Sequence, residues 1–357
     1  MSTTRIITTV LAATAVAGSA LALAVPAQAA PAPALTAAAG AKVTGGWSAA
    51  VVGRPGATGT LTLVSPDGRQ YPVTKLGSAW QVSDVTNDGS RVLVSNATGN
   101  APIFRVVDVR TGAGRAVAGQ WFEMRFTNPS GAALLGRTTA GELVRTSLAG
   151  SVQARHAGTR GGDGMLPSLD GRLLVSMNGA HRIQVNSNGG ARLRTIANPT
   201  GTTHCQPQHW TDASHFTAVC LPTGSREDVQ VYRYSTAGGA PVALTARLPR
   251  TGALQFGYVD SWSTPTGQLV AAASSCGPAR AGLVRGRQVQ LLKAGSNASP
   301  LTVQGTSVWF LNAPGCEEGR SWLTRHDVAT GRTVVLAGST RNRGLSVTSV
   351  AVVDRMR

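Results

Sequence analysis

Several kinds of residue are scarce in this chain of 357 amino acids. Aromatic residues make up 5% of it, lysine occurs only at positions 42, 75 and 293, and 16 acidic residues stand against 33 basic ones. The formal charge of +17 therefore rests on arginine, and a basic surface attracts polyanions. The arginines are scattered, whereas proteins that bind single-stranded nucleic acid interleave basic and aromatic residues. We therefore expect no specific nucleic-acid site.

Motifs of several enzyme and cofactor classes are also absent. The sequence has no G-x-S-x-G nucleophile elbow, no phosphate-binding G-x-x-x-x-G-K-[ST] loop and no H-E-x-x-H metal motif. The six histidines show no metal-ligand spacing, and the four cysteines include no C-x-x-C pair, which argues against zinc. The sequence therefore predicts no cofactor, no metal site and no assignable catalytic residue.

The first 43 residues have the features of an export signal and a linker. Arg5 supplies a positive charge, residues 6–25 are apolar, and an A-x-A cleavage site follows at 27–29. This pattern predicts a signal peptide at 1–29; the alternative is a membrane anchor, since the apolar run approaches the ~20 residues that span a bilayer. Residues 30–43 are rich in alanine and proline and predict a linker. We expect a secreted or extracytoplasmic protein with no transmembrane segment after cleavage.

The remainder, residues 44–357, repeats one pattern seven times. Each copy ends in a short strand that follows roughly x-V-x-L-x-G, and these strands end 39 to 49 residues apart. They lie at residues 71–77, 115–119, 152–158, 191–197, 241–246, 289–295 and 333–338. A period of ~40–50 residues with four short strands per unit is typical of a β-propeller, whose blades pack only on their neighbours. We therefore predict one all-β repeat domain, although its length exceeds the ~250–300 residues of a usual single core.

The two ends of this domain complement each other. Residues 345–354 supply an inner strand that no further strand follows, and residues 47–76 supply three strands that no inner strand precedes. One composite blade built from both termini would leave no free edge, and exposed edges invite aggregation. We predict a seven-bladed β-propeller of four-stranded blades closed by this composite blade. Six or eight blades remain alternatives, because the first turn of the sixth unit is degenerate.

The turns of the units carry a resemblance to a known family. They are rich in Asn, Asp, Pro and Gly, which accept the backbone angles of a hairpin. Residues 65–69 (SPDGR) and 168–172 (SLDGR), each followed by an apolar strand, show the fullest form. Such turns resemble those of TolB-like and WD-repeat-like β-propellers over essentially all of the chain from about residue 44. The resemblance implies the propeller fold and no particular activity.

The four cysteines predict two disulfides, since an even number in an exported chain is typical of paired cysteines. Cys205 and Cys220 flank one turn at equal distances, so they should face each other across a hairpin with Cβ atoms near the ~3.8 Å of a bridge. Cys276 and Cys316 are 40 residues apart, one repeat, and predict a bridge between neighbouring blades. All four should lie at the end where the inner strands begin. Free thiols, or a metal site with nearby histidines, are the alternatives.

The mouth of the central channel at that end is the expected binding site. Alignment of the units on their first turns gives six candidate ligand-binding residues: Trp80, Asp84, Trp121, Glu123, Asp163 and His204. Carboxylates with tryptophan at the lip can bind a cation, a sugar or a basic peptide, and paired carboxylates can hydrolyse a glycoside. The alternative is structural: the tryptophans fill space between blades, and the acids cap turns or pair with arginine.

We interpret the chain first as a monomeric, non-catalytic binding module that recognises a protein, a peptide or a cell-envelope polymer, including an anionic one. The rival hypothesis is a propeller-type lyase, lactonase or glycosidase that uses Glu123 and Asp163, with His204, at the channel mouth. A structural role in the envelope is the third. An enzyme should show polar groups with perturbed pKa values converging in the channel, and a binding module a broad exposed patch.

Overall fold

The computed structural model describes residues 43–54, 57–97, 101–224, 228–249, 259–272, 280–293, 298–313, 321–338 and 345–353. The predicted signal peptide, Cys276 and Cys316 lie outside these ranges. So does the predicted linker, except for Val43. Within the ranges, no helix is long and apolar enough to cross a membrane.

The regular structure of the described residues consists of β-strands. The first fifteen are β1 (Ser48–Gly53), β2 (Gly59–Val64), β3 (Gln70–Leu76), β4 (Trp80–Val85), β5 (Arg91–Asn96), β6 (Ile103–Asp108), β7 (Gly114–Ala116), β8 (Trp121–Phe126), β9 (Leu134–Thr138), β10 (Leu143–Thr146), β11 (Val152–Arg155), β12 (Leu166–Pro167), β13 (Leu173–Met177), β14 (Ile183–Ser187) and β15 (Arg192–Ile196). The others are β16 (Thr202–Trp210), β17 (His215–Pro222), β18 (Asp228–Ser235), β19 (Val242–Ala243), β20 (Leu248–Pro249), β21 (Val259–Thr264), β22 (Gly267–Ala272), β23 (Arg280–Arg285), β24 (Gln288–Leu291), β25 (Ala298–Gln304), β26 (Ser307–Asn312), β27 (Trp322–Asp327), β28 (Thr333–Ala337) and β29 (Ser346–Val352).

These strands form seven antiparallel sheets arranged in a ring, a seven-bladed β-propeller. Blade 1 has the order β29-β1-β2-β3, and blades 2, 3 and 4 are β4–β7, β8–β11 and β12–β15. Blades 5, 6 and 7 are β16–β19, β21–β24 and β25–β28, and β20 adds to β18 in blade 5. The predicted fold class of seven four-stranded blades is therefore confirmed.

Blade 1 draws its strands from both ends of the domain. β29 pairs antiparallel with β1, from Ser48 opposite Val352 to Gly53 opposite Ser346. Beyond this pair, the Val353 N–H donates to the Trp47 carbonyl at 2.7 Å. The inner strand and the three outer strands that the sequence predicts at the two ends thus lie in one sheet.

Hydrophobic clusters of the described residues fill the junctions between successive blades. The second strand of a blade contributes side chains to the hydrophobic clusters on both sides of that blade, because successive side chains point to opposite faces of a sheet. In β5, Val92 and Val94 pack toward blade 1, whereas Leu93 packs toward blade 3. In β9, Leu134 and Leu135 are divided in the same way between blades 2 and 4. Burial on both faces explains why these strands are continuous apolar runs in the sequence.

Aspartates stabilise turns at the end of the ring where the inner strands finish. In Asp170, the carboxylate accepts the Ser168 hydroxyl at 2.7 Å and the Arg172 N–H at 3.0 Å, and these bonds lower its pKa to about 2. The pKa is lowered in every member of this group, the turn aspartates: Asp67, Asp88, Asp108, Asp170, Asp212 and Asp327. Half of the twelve acidic residues within the described ranges therefore stabilise turns.

Candidate functional site

A cavity of about 590 Å³ lies among the innermost strands of the ring. All seven blades contribute to its wall through Val352 of β29, Asp84 of β4, Glu123 of β8, Leu166 of β12, Gln208 of β16, Asp260 of β21 and Gln304 of β25. The cavity is therefore the central channel of the propeller, where many elements converge on one volume, the usual setting for a binding site.

The wall of the channel is acidic, although the protein is strongly basic. Its charged groups among the described residues, histidine aside, are the carboxylates Asp84, Glu123, Asp163 and Asp260 and the guanidinium groups of Arg125 and Arg137. Four negative charges against two positive ones leave an excess of two negative charges. Clefts with low-dielectric walls focus such a field. The channel therefore favours a cation in its interior.

Arg137 fixes Glu123 at the wall and joins blade 3 to the loop that enters blade 4. Its side chain is only 7% exposed, and Nε lies 3.2 Å from Glu123 Oε1. Its two terminal nitrogens donate to the carbonyls of Gly141 and Gly164 at 3.1 and 3.0 Å. The Arg137 guanidinium is thus paired with Glu123 and hydrogen-bonded to two carbonyls within the protein, while Glu123 remains 36% exposed on the channel side.

Asp84 is held between two blades. Its Oδ1 accepts the N–H of Val85 at 2.9 Å, and its Oδ2 accepts the N–H of Phe126, in blade 3, at 2.7 Å. Asp163 lies exposed on the loop before β12, with its carbonyl bonded to the Met177 N–H at 2.8 Å. The first carboxylate is therefore rigidly placed, and the second is available to solvent.

Aromatic side chains complete the wall. Phe122 is 67% exposed, unusually so for a phenylalanine, and it lies in β8 beside Glu123. Across the ring, the His209 imidazole stacks on Trp262 with 4.7 Å between centroids, and its Nε2 lies 3.8 Å from Asp260 Oδ1. The channel thus combines carboxylates with aromatic faces, an arrangement suited to cation–π contacts.

Three of the six predicted binding residues, namely Asp84, Glu123 and Asp163, line the cavity, and Trp80, Trp121 and His204 are not among its lining residues. Trp121 is 4% exposed and donates from Nε1 to the Ala118 carbonyl at 2.8 Å, within the cluster between blades 2 and 3. Trp80 packs on the cluster between blades 1 and 2, with the Arg105 guanidinium 4.6 Å from its ring centroid. Both tryptophans occupy the space between blades that the structural alternative assigned to them.

His204 lies at the start of β16, and its ring faces another histidine. The centroids of His204 and His181 are 5.0 Å apart. Burial and the charge of His181 lower the pKa of His204, and the nearby carboxylate of Asp163 opposes this shift. Within the described ranges, no group of three or more His, Cys, Asp or Glu side chains is arranged to hold a metal ion.

The sequence alignment missed several residues of the channel: Phe122, Arg125, Arg137, His209 and Asp260. β-Bulges explain part of this, because each inserts a residue and changes which side chain faces inward. One bulge lies between Val82 and Asp84 and another between Trp121 and Glu123. Residues at the same distance before the first turn of different blades therefore do not all lie on the same face of the inner strand.

The predicted bridge between Cys205 and Cys220 is confirmed. The two cysteines are opposite each other in the β16–β17 register with Cα atoms 4.0 Å apart, and both are fully buried. The second predicted bridge, Cys276 to Cys316, lies outside the described residues. The confirmed disulfide is consistent with an extracytoplasmic location.

No protein-family model and no curated protein matches this chain. Similar solved structures include the dihydro-heme d1 dehydrogenase NirN in complex with DHE, with 13% identity and a TM-score of 0.54 over 86% of this chain and 75% of that one. TolB from Acinetobacter baumannii has 16% identity and a TM-score of 0.47 over 86% of this chain and 66% of that one, just under two thirds of its length. BamB from Moraxella catarrhalis has 16% identity and a TM-score of 0.45 over 87% and 92% of the two chains.

The likeness is one of fold. The seven-bladed ring itself bears out the predicted resemblance to TolB-like propellers at that level. Identities of 13 to 16% carry no assignment of ligand or activity.

Proposed function

We propose that the protein is an exported binding module whose channel takes a positively charged segment of a protein or peptide. The observation that carries the proposal is the excess of carboxylates in the channel of a chain whose overall charge is +17. A basic exterior repels a free cation, so a cationic ligand gains affinity only where the local field reverses. This reversal favours a basic segment over an anionic polymer as the ligand of the channel.

The geometry of the wall supports recognition of such a segment. Glu123 is held by Arg137 and Asp84 by two backbone N–H groups, so neither carboxylate has to be ordered when a ligand arrives. Phe122 offers an exposed ring next to Glu123, and a cation over such a ring gains about 0.5–2 kcal/mol. A lysine or arginine side chain can contact the ring with its stem and the carboxylates with its charge.

Affinity capture with the mature protein from the native envelope and medium tests the proposal. The channel variant is Phe122→Ala with Asp163→Asn. Its control is Ile103→Ala with Glu142→Gln, which removes an apolar side chain that is 58% exposed, against 67% for Phe122, and one carboxylate outside the cavity. A partner retained by the wild type and the control and lost by the channel variant supports the proposal. Capture indifferent to the channel variant contradicts it, as does the absence of any partner together with turnover in a lyase and glycosidase screen.

A further inference from the structure

A histidine occupies a core position at the junction of blades 3 and 4. His156 directly follows β11, the outermost strand of blade 3, and its N–H donates to the Leu143 carbonyl at 2.9 Å. In blade 2 the matching bond, also 2.9 Å long, joins the Val117 N–H to the Phe104 carbonyl, and in blade 4 the matching residue is Ile196. His156, Val117 and Ile196 are 2 to 5% exposed. Blade 3 therefore buries an ionisable ring where both neighbouring blades bury a hydrocarbon side chain.

The His156 ring has no hydrogen-bond partner among the described residues, and both of its nitrogens are buried. His326 in blade 7 provides the contrast. It is also 2% exposed, but its Nδ1 lies 2.8 Å from the Thr333 hydroxyl oxygen, and the charge of Asp327 opposes the effect of burial on its pKa. Nothing comparable stabilises a proton on His156. Burial lowers the pKa of His156, and the neighbouring Arg145 lowers it further, to about 4.

No carboxylate of the described residues pairs with His156. His156 is opposite Leu143, which packs toward blade 4. Alternation along β10 therefore turns Arg145 toward blade 4 and Glu142 away from it, where Glu142 pairs with Arg155. The other charged groups that border the junction in the described ranges are Arg137, paired with Glu123; Arg172, paired with Asp170; and the exposed Arg160, Asp163, Arg182 and Arg192. A proton on His156 thus adds a buried positive charge beside another one.

Blade 4 meets His156 with neutral polar groups. On β14, Gln184 and Asn186 both donate from their side-chain amides to the Ala157 carbonyl, Asn186 at 3.1 Å. Ser176 is opposite Gln184 in the sheet, and its buried hydroxyl has no partner among the described residues. The apolar cluster at this junction has four buried members, the fewest of the seven clusters that the described residues form. Few apolar contacts therefore hold the junction against a charge placed within it.

The junction also holds part of the channel wall. The loop that begins at His156 carries Asp163, whose carbonyl accepts the Met177 N–H of blade 4 at 2.8 Å. The carbonyl of the next residue, Gly164, accepts a hydrogen bond from Arg137 of blade 3 at 3.0 Å. Separation of blades 3 and 4 at this point therefore disturbs the wall at Asp163.

We propose that the junction of blades 3 and 4 is an acid-sensitive hinge of the ring, at which protonation of His156 favours local opening. The open form accepts the proton near the ordinary histidine pKa of 6.5, whereas the closed form resists it down to about pH 4. The closed junction is therefore fully stable above about pH 7 and loses stability as the pH falls from 6.5 toward 4. The opening loosens the loop that carries Asp163 and so couples the channel wall to pH.

Two matched backbone amides report on the hinge. The Ala157 N–H donates to the Gly190 carbonyl across the junction of blades 3 and 4 at 3.0 Å, and the Ala118 N–H donates to the Ala149 carbonyl across the junction of blades 2 and 3, also at 3.0 Å. Hydrogen exchange at each amide, corrected for its intrinsic rate, measures the opening of its own junction. Between pH 7 and pH 5 the protection of Ala157 should fall about 20-fold, and that of Ala118 should not change.

Two variants remove the titrating group. His156→Val introduces the residue that blade 2 has at this position, and His156→Gln keeps a polar side chain that does not ionise. Both should abolish the loss of protection at Ala157 in acid. The control, His326→Gln, removes an equally buried imidazole from blade 7 and should retain that loss. Equal losses at Ala157 and Ala118 in the wild type, or an undiminished loss at Ala157 in both His156 variants, would overturn the hinge.

Discussion

Replacing Arg137 by glutamine should destabilise the fold by about 3 kcal/mol. The side chain is 7% exposed and makes one ion pair and two charge-assisted hydrogen bonds that connect blade 3 to the entry of blade 4. Breaking a buried pair costs about 3–5 kcal/mol, and the lower end applies because Glu123 is 36% exposed and water can solvate it. The exposed pair of Arg155 and Glu142 provides the comparison, and Arg155→Gln should cost about 0–1 kcal/mol.

Urea unfolding measures this difference. Tryptophan fluorescence and far-ultraviolet circular dichroism should give coincident transitions, which licenses a single free energy of unfolding. The midpoint should shift with an unchanged m-value. A double-mutant cycle with Glu123→Gln should return a coupling of about 1–2 kcal/mol, because the two side chains share one network. If Arg137→Gln costs no more than Arg155→Gln, the buried contacts of Arg137 do not stabilise the fold beyond an exposed ion pair.

Three further predictions concern stability. Replacing Cys205 and Cys220 by alanine should cost about 3 kcal/mol, because their bridge spans 15 residues; an unchanged urea midpoint would show otherwise. The Asp170 pKa is lowered from 3.8 to about 2, so its stabilisation is complete above pH ~4 and is lost as the pH falls toward 2. Because this side chain is 34% exposed to solvent, Asp170→Asn should remove under about 1 kcal/mol of that acid sensitivity, and identical acid titrations of the two proteins would contradict this. A Cβ at Gly162 would lie 1.7 Å from the Met177 carbonyl oxygen, whereas Gly286 faces open space at φ 61°. Gly286→Ala should cost about 1 kcal/mol of unfolding free energy, and Gly162→Ala should cost more. The reverse order in urea unfolding would be inconsistent with the close approach at Gly162.

The sequence predicts the blades well because the physics of a propeller is local and repeated. Turns such as that of Asp170 accept only a few residue types. A second strand such as β5 must be apolar on both faces, because both faces are buried between blades. The bridge between Cys205 and Cys220 was predictable for the same reason, since a hairpin fixes which residues are opposite each other.

The channel was less predictable because its residues depend on irregularities that leave little trace in the sequence. The bulge before Glu123 breaks the alternation that would assign Trp121 and Glu123 to one face. Asp260 lies four residues before the turn at Thr264, whereas Glu123 lies five before the turn at Asn128, so the alignment did not match them. The exposure of Phe122 and the burial of Arg137 both run against hydropathy and follow only from the assembled ring.

Calorimetric titration of the mature protein with two short peptides of opposite charge, one rich in lysine and one rich in glutamate, tests whether the acidic channel binds a cationic segment. We expect the lysine peptide to bind at one site despite the overall charge of +17. Its affinity should fall severalfold in Asp163→Asn and stay unchanged in Glu142→Gln, which removes a carboxylate outside the channel. Binding of the glutamate peptide alone, or equal losses in both variants, would contradict a channel that binds cations.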